Sequence, residues 1–127
     1  MANRIKGITV EIDGNTTKLT DALRKVNTQV SRTSTALKDV ERLLKLDPTN
    51  TDLLRQKQQL LAESITATKD KLEELHKAEK QAKEQMENGK MSTDQYRAIQ
   101  REIVDTEQKL KKLEEQATSA AKSLGDK

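Results

Sequence analysis

The chain has 127 residues, with 24 Lys and Arg against 21 Asp and Glu, a formal charge of +3, and no Phe, Trp or Cys. Without large aromatics a thick globular core is hard to fill, and without cysteine there is no disulfide framework and no thiolate metal site. No apolar run nears the roughly 18 residues of a membrane span, and the opening Met1 to Gly7 stretch lacks the apolar centre of a secretion signal.

What remains is charged, aliphatic and poor in glycine, the composition of long helices and coiled coils. Residues 7–12, Gly-Ile-Thr-Val-Glu-Ile, alternate, with Ile8, Val10 and Ile12 on one face and Thr9 and Glu11 on the other. That period-two pattern predicts a short strand, and Asp13-Gly14-Asn15 predicts a turn after it. No second alternating run follows. The strand is therefore expected to satisfy its backbone groups by pairing between chains.

A first helix is predicted from about residue 17 to residue 46. Leu19, Leu23, Val26, Val30, Thr33, Leu37, Val40 and Leu44 recur at alternating steps of four and three, a heptad seam. Asp47-Pro48 should stop it, because proline disfavours helical geometry at the preceding residue, and Asn50 or Thr51 can cap the next helix. That second helix, about 50–88, carries Leu54, Gln58, Leu61, Ile65, Thr68, Leu72, Leu75, Glu79, Ala82 and Met86, widened by Leu53, Leu60 and Ala67. Asn88-Gly89 should end it, since glycine tolerates the left-handed cap conformation.

Ser92-Thr93-Asp94-Gln95 fits a capping box for a third helix, about 93–123. Its seam is Tyr96, Ile99, Ile103, Thr106, Leu110, Leu113, Ala117, Ala120 and Leu124, and Gly125-Asp126-Lys127 reads as a terminal cap or the scar of a truncation. The predicted fold is all-α: three long helices in antiparallel coiled-coil hairpins, preceded by one strand that pairs between chains. Residues 1–15 form the strand and turn, and residues 16–127 the helical module. Folding at the two turns brings Leu37 to the level of Leu60 and Leu61, Val26 to Leu72, Ile103 to Leu75 and Leu113 to Ile65. Thr33 then falls near Ser64 and Thr68, a weakly polar layer that a thin core tolerates.

Catalytic material is scarce. His76 flanks the seam and should reach water, and the paired carboxylates Glu73-Glu74 and Glu114-Glu115 diverge by about 100° around a helix. Asp13-Gly14-Asn15 lacks the later ligands of a calcium loop. Charges of opposite sign recur four apart, as in Lys69–Glu73 and Glu107–Lys111, which suits a solvated helix surface. No catalytic, cofactor or metal site is expected, and no enzyme activity. The expected functional surface is a protein–protein interface built from Ile8, Val10, Ile12, Leu19, Leu23, Val26, Val30, Leu37, Val40, Leu61, Ile65, Leu72, Leu75, Ile99, Ile103, Leu110 and Leu113.

Residues Ile5 to Leu19, Ile-Lys-Gly-Ile-Thr-Val-Glu-Ile-Asp-Gly-Asn-Thr-Thr-Lys-Leu, resemble the amino-terminal signature of tail tape measure proteins of phages and prophages of Gram-positive bacteria. Leu37 to Thr51, with a helix closing in Leu-Leu-Lys-Leu-Asp-Pro, is similar to the next hallmark of that family, and Gln56 to Leu61 and Tyr96 to Ile103 continue the likeness. The resemblance implies a structural protein that helps set tail length, housed in the tail interior and assembled in the host cytoplasm. It implies further copies of itself, tail tube proteins and tail assembly chaperones as partners, with no small-molecule substrate, specific nucleic acid or membrane. Because that family runs far longer, the chain reads as an excised amino-terminal module or a prophage remnant. Two other readings compete: a bacterial cytoplasmic scaffolding coiled coil without a phage role, and a nucleic-acid-binding arm using Arg24, Lys25 and Arg32.

Overall fold

The computed structural model describes residues 2–125. Asp126 and Lys127 of the predicted tail lie outside the described residues, as does the side chain of seam residue Leu124. In chain order come a 3-10 turn (Ala2–Ile5), strands β1 (Thr9–Ile12) and β2 (Asn15–Lys18), and helices α1 (Leu19–Ala22), α2 (Arg24–Leu46), α3 (Thr51–Glu87) and α4 (Thr93–Gly125).

The strand has a partner within the chain, which corrects the expectation of one strand that pairs only between chains. β1 and β2 form an antiparallel hairpin in which Thr9 faces Lys18, Val10 faces Thr17, Glu11 faces Thr16 and Ile12 faces Asn15. Asp13 and Gly14 make the turn with φ of 52° and 81°. Two positive φ values in succession give a turn whose twist matches that of the flanking strands, and Asp-Gly is a favoured pair for it. The segment Asn15 to Lys18 is polar because most of its face is exposed, so it carries no alternation to read. The Leu19 N–H donates to the Ile8 carbonyl and runs the pairing straight into α1.

Helix therefore begins at Leu19, after the threonines have served the strand. Leu23 interrupts it at φ −93° and ψ −2°, separating α1 from α2. α2 ends at Leu46, with Asp47 as its cap just before Pro48. The Asn50 side chain accepts the Leu53 N–H at 3.0 Å and starts α3. At the far end of α3, Gly89 takes φ +74°, and the Lys90 N–H reaches back to the Gln85 carbonyl while that of Gly89 reaches Met86. This paired closure satisfies carbonyls that a helix end leaves open. The Ser92 hydroxyl accepts the Gln95 N–H at 3.1 Å and opens α4.

α3 is the central element, packed against α2 along one side and α4 along another. The larger apolar cluster lies where the hairpin meets the helices. Ile5, Ile8, Val10, Leu19 and Leu23 pack with Leu75, Ala78 and Ala82 of α3, and with Ala98, Ile99 and Ile103 of α4. A smaller cluster joins Leu37 of α2, Leu61 of α3 and Ala120 of α4.

Candidate protein–protein interaction surface

The residues proposed as an interface lie mostly inside this one chain. Ile8, Val10, Leu19, Leu23, Leu75, Ile99 and Ile103 are buried in the larger cluster, with Ile12, Val26 and Leu72 packed against it. Leu37 and Leu61 are buried in the smaller cluster with Leu113 against them. Val40 is buried as well, while Val30, Ile65 and Leu110 stay half-buried. Among the described residues the large apolar side chains left open are Leu46 and Val104.

Two polar side chains missed by the heptad reading hold the amino-terminal segment in place, the first on the hairpin and the second on the 3-10 turn. Gln85 of α3 accepts the Glu11 N–H at 3.0 Å and donates its amide to the Thr9 carbonyl at 3.2 Å. One side-chain amide thus imitates a neighbouring strand and closes the outer edge of β1, which would otherwise present unpaired groups. The sequence signal was faint: a glutamine three residues after Ala82, one position before the expected seam residue Met86.

The second is Glu102, whose side chain is 2% exposed. Its Oε1 lies 3.4 Å from Arg4 Nη1 and its Oε2 lies 3.2 Å from Lys71 Nζ, and the same guanidinium donates to the Arg101 carbonyl at 3.2 Å. A buried carboxylate is costly unless opposite charges meet it, and here the amino-terminal turn and α3 each supply one. Asp105, one turn along α4, extends the network to Arg4 at 3.9 Å and to Lys109 at 3.0 Å. The hydrogen bond from Lys109 holds the Asp105 carboxyl below its ordinary value, helped by the charges of Lys109 and Arg4 and opposed by partial burial.

Between α2, α3 and α4 lies a cleft of roughly 250 Å³. Thr33, Ser64, Thr68 and Thr106 form its floor, all buried. The threonine hydroxyls turn back to their own helices, Thr33 to the Gln29 and Val30 carbonyls, Thr68 to Ser64 and Thr106 to Glu102, which leaves their methyl groups to pack. Ser64 differs, for its Oγ is sealed from solvent and has no hydrogen-bond partner. Such an unmet hydroxyl costs about 1–3 kcal/mol. Val30, Leu37 and Leu113 wall the cleft, and Lys71, Lys109 and Lys112 line it too.

The other surfaces carry different chemistry. A groove between α2 and α3 is lined by Glu63, Asp70, Glu73 and Glu74 together with Lys25. Arg24 and Arg32 instead lie beside Asn27, Thr28 and Ser31, and Arg24 is paired with Asp21. The three basic residues of the nucleic-acid reading are therefore split between two surfaces, and one of these is acidic. Among the described residues no group of three or more His, Asp or Glu lies close enough to hold a metal ion, and no helix is long and apolar enough to cross a membrane.

The probable tape measure protein of Lactococcus phage SK1 is 44% identical to this chain over 66 residues, 52% of the chain and 7% of the relative. Over that stretch the chain is similar to part of a tape measure protein. The tape measure protein of Lactococcus phage F4-1 is likewise 53% identical over 49 residues, 39% of the chain and 13% of that protein. The matched stretches thus span a small part of each tape measure protein. No family model matches the chain, and no solved structure does.

Proposed function

We propose that this chain is an amino-terminal module of a phage tail tape measure protein, a structural part that acts by protein–protein contacts while the tail is assembled. The observation that carries the reading is the 44% identity over 66 residues to the SK1 protein. It favours a phage tail role over a scaffolding coiled coil of another kind. Long helices suit a protein that measures length, because each helical residue adds about 1.5 Å.

Within the module, α2 and α4 fold back along α3 as antiparallel coiled-coil hairpins. The short connections at residues 47–50 and 88–92 support this, since brief links favour antiparallel neighbours. So do the shared clusters, in which Leu37 meets Leu61 and Val26 and Ile103 join Leu72 and Leu75. Folded so, the module extends on the order of 55 Å, the length of α3; laid end to end its helices reach about 145 Å. Its place is the tail interior in the virion and the host cytoplasm before that. Tail tube proteins, tail assembly chaperones and further copies of the chain are its partners by family resemblance.

The test is genetic. Removing the codons for this region from the encoding genome should leave lysates with no tails or tails of irregular length under the electron microscope. Tails of normal number and length would contradict the reading.

A further inference from the structure

We propose that the cleft between α2, α3 and α4 seats one amphipathic helix of a partner protein, apolar on its seated face and acidic along its flanks. The proposal rests on the reading of this region as an assembly module and adds the chemistry of what it binds. A helix laid in the cleft touches α2 on one side and α4 on the other, the place of the fourth member in a four-helix bundle. Val30 and Leu113 offer it apolar walls, and the floor of small side chains lets its backbone approach closely.

Two further observations specify the occupant. Ser64 lines the cleft, is 4% exposed and has an unpartnered hydroxyl, so the seated face should bring one small polar group among its apolar ones. Charge sets the flanks. Lys71, Lys109 and Lys112 line the cleft and no acidic side chain does. Lys71 and Lys109 are partly matched by Glu102 and Asp105. Lys112 forms no ion pair among the described residues and meets the partner's carboxylate directly. The groove between α2 and α3 carries four carboxylates, so the same acidic helix is repelled there. Complementary and repulsive faces on one molecule give orientation as well as binding.

The probe is a synthetic capped peptide of about 20 residues, long enough to hold helix. It carries Leu, Ala and one Ser on one face and Glu on the flanks, with a twin bearing Lys in place of Glu. Fluorescence anisotropy on the full chain should show the acidic peptide binding at least about tenfold more tightly than its twin. Ser64→Leu, which fills the cleft, should abolish binding with helix content unchanged by circular dichroism. Lys112→Glu, a surface change that spares the fold, should weaken binding about threefold or more. Equal binding of the two peptides, or an unaltered affinity in Lys112→Glu, overturns the proposal. So does a dimer of the chain that Ser64→Leu dissociates, since the occupant is then a second copy. Tails that assemble normally with both substitutions, but fail when the whole region is deleted, sink the cleft proposal and leave the assembly role standing.

Discussion

The two ends of the helical module are built differently. At the hairpin end, large aliphatic side chains from the amino-terminal turn, β1, α1, α3 and α4 close on one another, and Leu19, Leu23, Leu75 and Ile99 are wholly buried. Of the polar groups there, Gln85 is met by the β1 backbone, and Glu102 is matched in charge by Arg4 and Lys71 while its Oε1 accepts no hydrogen bond. Toward the other end the core thins to Leu37, Leu61 and Ala120, with Leu60, Leu113 and Ala117 against them. Above these lie a floor of hydroxyl side chains and an open cleft. The hairpin thus does for one end what a thicker core would do, by covering aliphatic ridges that helices alone leave half wet. The contrast assigns stability to the hairpin end and leaves the open one for the proposed partner helix.

That contrast can be broken by substitution. The largest effect is expected from Leu75→Ala in the hairpin-end cluster, about 4 kcal/mol by urea denaturation. Leu61→Ala should cost nearer 2 or 3 kcal/mol, because the thinner end relaxes more readily around a gap. Equal losses would erase the distinction between the ends. Of similar size is Glu102→Ala, which strands Lys71 and should lose about 3 kcal/mol. Glu102→Met together with Lys71→Met should recover most of that loss, because apolar packing of similar volume replaces the buried pair.

Gln85→Ala should cost about 1–2 kcal/mol by exposing the edge of β1. Faster hydrogen exchange at the Glu11 amide is the local readout, and an unaltered rate there would deny Gln85 its role. Smallest is the acid response of Asp105. Its carboxyl titrates lower folded than unfolded, so its contribution is present above about pH 4 and fades as the pH falls through the folded value. Asp105→Asn should flatten the acid limb of the stability profile slightly. A steeper limb would reverse the sign.

The helices are legible because their stop signals are local. Asp47-Pro48 and Asn88-Gly89 end α2 and α3 through backbone geometry that needs no tertiary context, and Asn50 and Ser92 cap from within their own segments. The second strand is not legible from alternation. Asn15, Thr16, Thr17 and Lys18 are chosen for an exposed strand held by backbone bonds, and the available cue was the Asp13-Gly14 turn. The upper half of the α3 seam also departs from the heptad. Glu79 and Met86 stay half-buried, while Ala78 and Gln85 are buried in their stead, because β1 packs against that part of α3. A small side chain lets the strand approach, and an amide finishes its edge. Glu102 escaped notice for a related reason: its partners Arg4 and Lys71 lie far away in sequence, and no periodicity announces a buried charge.

The arrangement around α3 is tested most directly by small-angle X-ray scattering of the chain at a dilution where one copy occupies each particle. Helices folded back on α3 predict a largest dimension of about 65 Å, one helix length plus its hairpin cap. A largest dimension near 145 Å would mean that the helices run end to end, and would contradict the account.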